Sequence, residues 1–146
     1  MLTEDNLNRF LVAQKHSYQN ALSEIKNGRK QSHWMWYIFP QIQGLGYSET
    51  ARFYSIKDLA EAKSYLNDPI LGKRLIEISS ELLKLNGKSA HQIFGSPDDM
   101  KLRSSMTLFA NVPNADLVFK QVLEKYFIGE NDELTLEKIT QWPHKI

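Results

Sequence analysis

The sequence contains no cysteine, and its charges almost cancel. Without cysteine, disulfide bonds, thiolate catalysis and cysteine-ligated zinc are excluded. The chain has 18 basic and 17 acidic residues, which gives a formal net charge of +1. Nucleic-acid-binding domains usually carry a large basic excess, so this balance argues against a nucleic-acid partner.

Long apolar runs are also missing. The first ten residues, MLTEDNLNRF, are acidic and lack the charged-then-apolar order of a signal peptide. The longest weakly charged stretch, residues 31–48, contains Pro40, Gly44, Gly46 and three glutamines. A membrane span needs about 20 mostly apolar residues, and this stretch is too short and too polar. We therefore expect a soluble cytoplasmic protein with no membrane partner.

The length and composition indicate one globular domain over residues 1–146. Hydrophobic residues make up 42% of the 146 residues and charged residues 24%, which is typical of folded chains and not of disordered ones. A chain of this size can bury a core without a disulfide or metal to stabilise it. No internal repeat or low-complexity linker is visible.

Apolar residues recur at helical spacing along most of the chain. One helix is predicted from Leu7 to Ile25, ended by Gly28, and another after Asp68, which reads as an N-cap before Pro69. Further signals follow: a start at Ser96-Pro97, a cap at Asn114, a stop at Gly129 and a short last turn over residues 135–141. No β-hairpin signal is present. The prediction is an all-α domain of roughly six to eight helices with one long aromatic loop or short-helix segment.

Residues 31–48, QSHWMWYIFPQIQGLGYS, form that segment, which we call the aromatic segment. It has five tryptophan, tyrosine and phenylalanine residues and no charged side chain. Any helix in it should end near Phe39, because Pro40 disfavours the helical conformation of the preceding residue. Gly44 and Gly46 permit tight turns or close approach of a ligand. A stretch this apolar must be buried in the domain, in a partner or around a ligand.

Two interpretations of the aromatic segment remain open. In the first, its aromatic side chains simply fill the core, with the indole N–H groups bonded internally. In the second, His33, Trp34, Trp36 and Gln41 line a pocket, because small-molecule sites combine apolar walls with a few polar groups. The two interpretations can hold together.

Distinctive blocks of residues lie along nearly the whole chain: Arg9-Phe10, Ala13-Gln14, Ser32-His33-Trp34-Met35-Trp36, Phe39-Pro40-Gln41, Gly44-Leu45-Gly46, Tyr54-Ser55-Ile56, Leu71-Gly72, Ile93-Phe94-Gly95, Asp98, Lys101, residues 104–109 and Asp132. In these blocks the chain resembles a known family, the bacterial domain of unknown function 1810, some members of which carry the label calpastatin. It implies a mainly helical single domain without an established activity. The residues do not support the calpastatin label, because a calpain inhibitor of that kind is a disordered repeat protein.

Common active-site motifs are absent. The four histidines (His16, His33, His91 and His144) are not at ligand spacing, so no metal site is predicted. The sequence has no P-loop lysine and no Gly-x-Ser-x-Gly elbow, and Glu49 stands where a dinucleotide fingerprint would have its third glycine. No cofactor is predicted.

A composite site is the remaining candidate. In the helix that starts at Pro97, Asp98, Lys101 and Ser105 share one face, with Ser104 beside them. If this face meets the aromatic segment, it supplies a charge pair and hydroxyl groups to a pocket walled by tryptophan. The alternative is that Asp98 and Lys101 form only a solvated ion pair.

The leading functional hypothesis is a small-molecule site for a nucleotide-like or anionic aromatic ligand. Trp34 or Trp36 would stack on a ring, and Lys30 or Lys101 would pair with an anionic group. His33 and Gln41 would form hydrogen bonds, and His33 is the side chain suited to proton transfer if the protein catalyses group transfer or hydrolysis. Whether it is an enzyme stays open. The alternative is a protein-interaction module that uses the aromatic segment as an exposed anchor.

Overall fold

A computed structural model describes the backbone of residues 2–144 and the side chains of residues 7–140. This part of the chain forms ten helices and no strand, and only Ile42 and Ile56 form an isolated parallel bridge. The helices are α1 (Leu2–Lys15), α2 (Tyr18–Lys26), α3 (Met35–Ile38), α4 (Glu49–Phe53), α5 (Leu59–Asn67), α6 (Leu71–Lys84), α7 (Ala90–Phe94), α8 (Asp98–Ala110), α9 (Val118–Phe127) and α10 (Glu133–His144).

The predicted all-α class is confirmed, and the number of helices exceeds the predicted six to eight. The difference comes from α3 and α7, which have four and five residues, and from the division of one predicted helix into α1 and α2. Helices as short as α3 and α7 carry too few apolar positions for a periodic pattern to show them. No helix of the described chain is long and apolar enough to cross a membrane.

Helix α8 lies at the centre of the fold. It packs against α5, α7, α9 and α10, and α6 packs against α2, α5 and α9. Ile78 and Leu82 of α6, Met106 and Phe109 of α8 and Val122 of α9 are completely buried. Each such side chain contributes about 1.5–3 kcal/mol of hydrophobic stabilisation. The core therefore forms around the face that was predicted for the helix after Asp68 and its contacts with α8.

One predicted helix is divided in two. The apolar repeat from Leu7 to Ile25 continues across both parts, but the chain turns between Lys15 and Tyr18. The turn lets α1 pack on α3 and α5 while α2 packs on α6. A periodic pattern indicates which residues face the core, but it does not indicate a change in helix direction. The break therefore could not be predicted from the apolar repeat.

The helix boundaries confirm some of the predicted signals and correct others. Gly28 and Gly129 follow α2 and α9 with positive φ, as predicted. The Asp68 carboxylate accepts hydrogen bonds from the N–H groups of residues 70 and 71 at 2.9 Å, as a capping side chain does, but α6 begins at Leu71 and not at Pro69 as predicted. The cap predicted at Asn114 is wrong, because Asp116 accepts the bond from the first N–H of α9. The last helix, α10, is longer than the predicted turn.

Candidate functional site

Glu24 of α2 fastens the start of the aromatic segment. Its Oε1 accepts hydrogen bonds from the N–H groups of Gln31 and Ser32 at 2.7 and 3.0 Å, and from Trp34 Nε1 at 2.9 Å. Its Oε2 accepts from Ser32 Oγ at 2.6 Å. Burial raises the pKa of Glu24, but these hydrogen bonds, that of the Ser32 hydroxyl above all, lower it to about 2. The carboxylate is therefore charged at neutral pH and holds the segment against α2.

Five of the predicted site residues lie together beside the start of α8. Lys30 Nζ is 2.9 Å from Asp98 Oδ2 and donates to the Ser32 carbonyl at 2.6 Å, and it lies 5.1 Å from the Trp34 ring centre. On the other side of the carboxylate, Lys101 Nζ is 3.5 Å from Asp98 Oδ1 and 5.0 Å from the ring centre of Trp36. We call Lys30, Trp34, Trp36, Asp98 and Lys101 the closed cluster.

The closed cluster uses its charges internally. Asp98 pairs with both lysines, and the Lys30 side chain is only 9% exposed. Trp34 is 1% exposed, and its indole N–H is bonded to Glu24. The predicted roles of Trp34 in stacking on a ligand and of Lys30 in binding an anion are therefore corrected. In this conformation, Trp34 is a core residue and Lys30 is the cation that pairs with Asp98.

The other residues predicted on this side of the site do not face a cleft. His33 is exposed and forms no hydrogen bond or ion pair within the described residues. Ser104 Oγ donates to the Met100 carbonyl at 3.2 Å. Ser105 is completely buried, and its hydroxyl has no partner among these residues. Because α8 has neighbours on several sides, the face that carries the serines packs inside the domain instead of lining a pocket.

Gln41 and Trp36 border a cavity that is too small for a ligand. Its volume is about 10 Å³. A single water molecule needs a comparable volume. The predicted contacts of these two side chains with a ligand therefore have no space in this conformation.

The second half of the aromatic segment opens onto a much larger cleft. We call residues 43–47, with Gly44 and Gly46, the glycine loop, and we call the space beside it the cationic cleft. The backbone at the start of the loop is joined to Ile56, which follows α4. Gln43 N–H donates to the Ile56 carbonyl and Ile56 N–H donates to the Gln41 carbonyl, both at 2.8 Å. The cleft has a volume of about 660 Å³ and is lined by Ile42, Gln43, Gly44, Gly46, Tyr47, Arg52, Ser55, Lys57, Asp58 and Lys138.

Gly46 is required by close approach of α4, and Gly44 by its backbone conformation. A Cβ atom at Gly46 would lie 2.7 Å from the Cβ of Ala51 in α4, so any side chain would push the loop away from that helix. Gly44 has φ +94°, and a Cβ there would lie 2.8 Å from Lys138 Nζ. The missing side chains allow α4 and α10 to reach the loop, and they bring Lys138 to the cleft.

Three cations line the cationic cleft without a carboxylate partner. Arg52, Lys57 and Lys138 form no ion pair within the described residues. The carboxylate of the lining, Asp58, accepts a hydrogen bond from the Glu61 N–H at 2.9 Å and so caps α5. The side chains of the lining therefore carry a net positive charge.

Arg9 of α1 holds the cleft wall that carries Arg52 and Lys57. Its guanidinium donates to the carbonyls of Phe53 and Ser55, both at 2.7 Å, and is 3.5 Å from Glu61 Oε1. The same Glu61 oxygen accepts the Lys57 N–H at 2.7 Å. Arg9 and Glu61 therefore fix the backbone of residues 53–57 on the protein surface.

Sequence reasoning found the glycines of this cleft but missed its cations. Arg52, Lys57 and Lys138 are isolated charges on α4, the following loop and α10, and no spacing relates them. The available signal was the position of Arg52 and Lys57, which are the first cations after the uncharged stretch that holds Gly44 and Gly46. Within the described residues, no three histidine or acidic side chains come close enough to hold a metal ion.

These features define a small all-helical domain that carries a closed charge cluster and a separate cationic cleft. The chain matches the family model described as "Protein of unknown function (DUF1810)" over residues 4–139 and belongs to this family, as its motifs indicated. It is similar to the crystal structure of the conserved hypothetical protein Rv1873 from Mycobacterium tuberculosis, with 44% identity and a TM-score of 0.91. The match covers 92% of this chain and 96% of that one. No curated protein matches the sequence.

Proposed function

We propose that this protein binds a small anionic molecule in the cationic cleft. The volume of the cleft, about 660 Å³, falls within the range of roughly 300–1,000 Å³ in which small-molecule sites occur. Its lining combines apolar surface from Ile42 and Tyr47 with polar groups from Gln43 and Ser55. Mixed walls of this kind are typical of sites that orient a ligand.

One observation carries the proposal: Arg52, Lys57 and Lys138 border the same cleft without an ion pair in the described chain. Like charges around one recess repel each other and focus a positive potential inside it. An anion in the recess would remove that repulsion and form charge-assisted hydrogen bonds with all three side chains.

We propose binding alone for the cationic cleft. The Ser55 hydroxyl of the cleft donates to the Arg52 carbonyl at 2.9 Å and so is not activated by a neighbouring base. His33, the residue predicted to transfer protons, does not line the cleft.

A protein-interaction module is the second candidate, and one observation favours it. Tyr47 and Phe53, which lie on either side of Arg52 along the surface, are 79% and 58% exposed. Exposed aromatic side chains are common anchors in protein interfaces. The two tryptophans of the aromatic segment do not fit this role, because Trp34 is buried and Trp36 half-buried.

Calorimetric titration with inorganic pyrophosphate tests the proposal. We expect the wild type to bind, and Arg52→Gln and Lys138→Gln each to weaken binding roughly tenfold or more, because each removes a charge-assisted hydrogen bond. The matched control is Lys73→Gln, an exposed lysine of α6 that is outside the cleft lining, and it should bind as the wild type does. Equal affinity in all four proteins, or no binding by any, would contradict the proposal.

A further inference from the structure

We infer that the ligand has two parts, an anionic phosphate group and a planar ring, and that it is a nucleoside phosphate. The inference rests on the proposed function and assigns the second part of the ligand to a neighbouring cleft. That cleft is shallow and has a volume of about 670 Å³. It is lined by Glu49, Thr50, Arg52, Phe53 and Tyr54. We call it the ring cleft.

Arg52 connects the two clefts, because it lines both. A ligand whose phosphate pairs with Arg52 in the cationic cleft can therefore extend past the guanidinium into the ring cleft. Arg52 belongs to α4, whose N-cap Ser48 accepts the Ala51 N–H at 3.1 Å. The connection between the clefts thus lies on an ordered helical turn.

Phe53 provides a platform for a planar ring. Its side chain is 58% exposed, yet its ring is held at the edge by Tyr54, with centroids 4.8 Å apart and planes at 79°. Tyr54 in turn packs on Phe10 and Tyr37, at 6.0 and 5.2 Å between ring centres. An exposed aromatic ring that is fixed to the core at low conformational cost is suited to stack on a base.

The charges of the ring cleft favour a neutral ring over a second anion. Glu49 is the carboxylate of its lining, and Thr50 adds a hydroxyl group. A carboxylate accepts hydrogen bonds from the amino and hydroxyl groups of a nucleoside and repels a phosphate. The anionic end of the ligand is therefore directed to the cationic cleft and its uncharged end to Phe53.

Two further carboxylates near the clefts disfavour the binding of a nucleic-acid strand. Asp58 lines the cationic cleft, and Glu61 lines the adjoining surface that contains Arg9 and Lys57. A strand that continued beyond the two clefts would pass these carboxylates with further phosphates. A compact ligand with one anionic end avoids them. Because the ring cleft is shallow, only one face of a base is covered, and we expect little discrimination between bases.

Calorimetric titrations with ADP, pyrophosphate and adenosine test the inference on the wild type and on Phe53→Ala. We expect ADP to bind the wild type at least roughly tenfold more tightly than pyrophosphate does, and Phe53→Ala to remove this advantage while pyrophosphate affinity stays unchanged. Adenosine alone should bind more weakly than ADP. GDP, CDP and UDP should bind within about fivefold of ADP. Leu117→Ala is the matched control, because Leu117 is 68% exposed and lines neither cleft.

The outcomes separate the two proposals. Equal affinities for ADP and pyrophosphate that Phe53→Ala does not change would overturn the inference and leave the anion site in place. Absence of binding by both would overturn both proposals. If a ten-nucleotide thymidine oligomer bound more than tenfold tighter than ADP, the surface would be a strand-binding platform and the inference would also fail. Circular dichroism of Phe53→Ala establishes that its fold is intact.

Discussion

The closed cluster and the cationic cleft contain the same kinds of side chain, but the cations are paired with a carboxylate in the first and unpaired within the described residues in the second. Each combines cations and one aspartate with at least one aromatic side chain. In the closed cluster, Asp98 lies between Lys30 and Lys101 and pairs with both. In the cationic cleft, Asp58 caps α5 with one of its oxygens, and the cations around it have no ion pair within the described residues. The two regions therefore differ in the role of one carboxylate: Asp98 neutralises two lysines, whereas Asp58 caps a helix and leaves the cations of its cleft unpaired in the described chain.

The aromatic side chains differ in the same way. Trp34 of the closed cluster is 1% exposed, whereas Tyr47 of the cationic cleft is 79% exposed. The first adds hydrophobic stabilisation and a bonded indole N–H, and the second adds little to the core. If the two regions differ as described, substitutions in the first should change stability and substitutions in the second should change binding.

The largest expected effect tests this division directly. Trp34→Ala should lower the free energy of unfolding by about 3–5 kcal/mol, because it removes a buried aromatic side chain and leaves a cavity. Tyr47→Ala should change it by less than about 0.5 kcal/mol, as is usual for exposed positions. Urea denaturation measures both. Similar losses in the two variants would show that the regions do not differ in this respect.

Removing the negative charge of Asp98 from the closed cluster should have the next largest effect on stability. Asp98→Asn should cost about 1–3 kcal/mol, because the Lys30 ammonium, 9% exposed, would lose its counter-charge, although partial exposure moderates the penalty. Asp58→Asn should leave the Arg52, Lys57 and Lys138 side chains as they are and raise pyrophosphate affinity. Urea denaturation and calorimetry check the pair. An Asp98→Asn protein as stable as the wild type would contradict the role of the clamp.

Closing the space beside the glycine loop should alter binding and stability together. Gly46→Ala should cost about 1–3 kcal/mol through overpacking against Ala51, and it should weaken pyrophosphate binding because the loop moves. The double variant Gly46→Ala with Ala51→Gly should recover much of the binding, since it removes the facing methyl group. Failure of the second change to restore binding would mean that the contact between the loop and α4 does not shape the cleft.

The smallest expected effect concerns acid stability. The pKa of Glu24 falls from 4.5 to about 2 in the folded protein, so the unfolded chain binds the proton more readily. The stabilisation by Glu24 is therefore complete above pH 4.5 and lost as the pH falls toward 2. It amounts to about 1 kcal/mol, less than the shift in pKa alone would give, because solvent screens this partly exposed carboxylate. Urea denaturation between pH 2 and 6 should show this loss in the wild type and not in Glu24→Gln; parallel curves would exclude it.

The sequence predicted the parts of the fold that depend on local spacing. The face of α6 and the capping role of Asp68 follow from residues within a few turns of each other, and so does the pairing of Asp98 with Lys101. The break between α1 and α2 and the pairing of Lys30 with Asp98 depend on packing between distant segments. No local pattern contains that information.

The candidate site was predicted in part for the same reason. The uncharged stretch with Gly44 and Gly46 pointed to the loop that borders the cationic cleft, because an apolar segment with flexible glycines needs a partner surface. The cations of the cleft come from α4, the following loop and α10, and only the tertiary structure brings them together. The sequence therefore predicted the anion-binding role for Lys30, next to the aromatic segment, and for Lys101, on the same helix face as Asp98. In the structure both lysines pair with Asp98.

The contact between Lys138 and Gly44 links the order of synthesis to the completeness of the site. Residues 42–58 carry Arg52 and Lys57 and precede α10 along the chain. Lys138 is made only with α10, whose start is capped by Asp132 through hydrogen bonds to Thr135 and anchored to Thr107 of α8. A nascent chain that has not yet released α10 can assemble two of the three cations and not the third. If the cleft binds an anion as proposed, full affinity is acquired only once α10 has packed onto the domain.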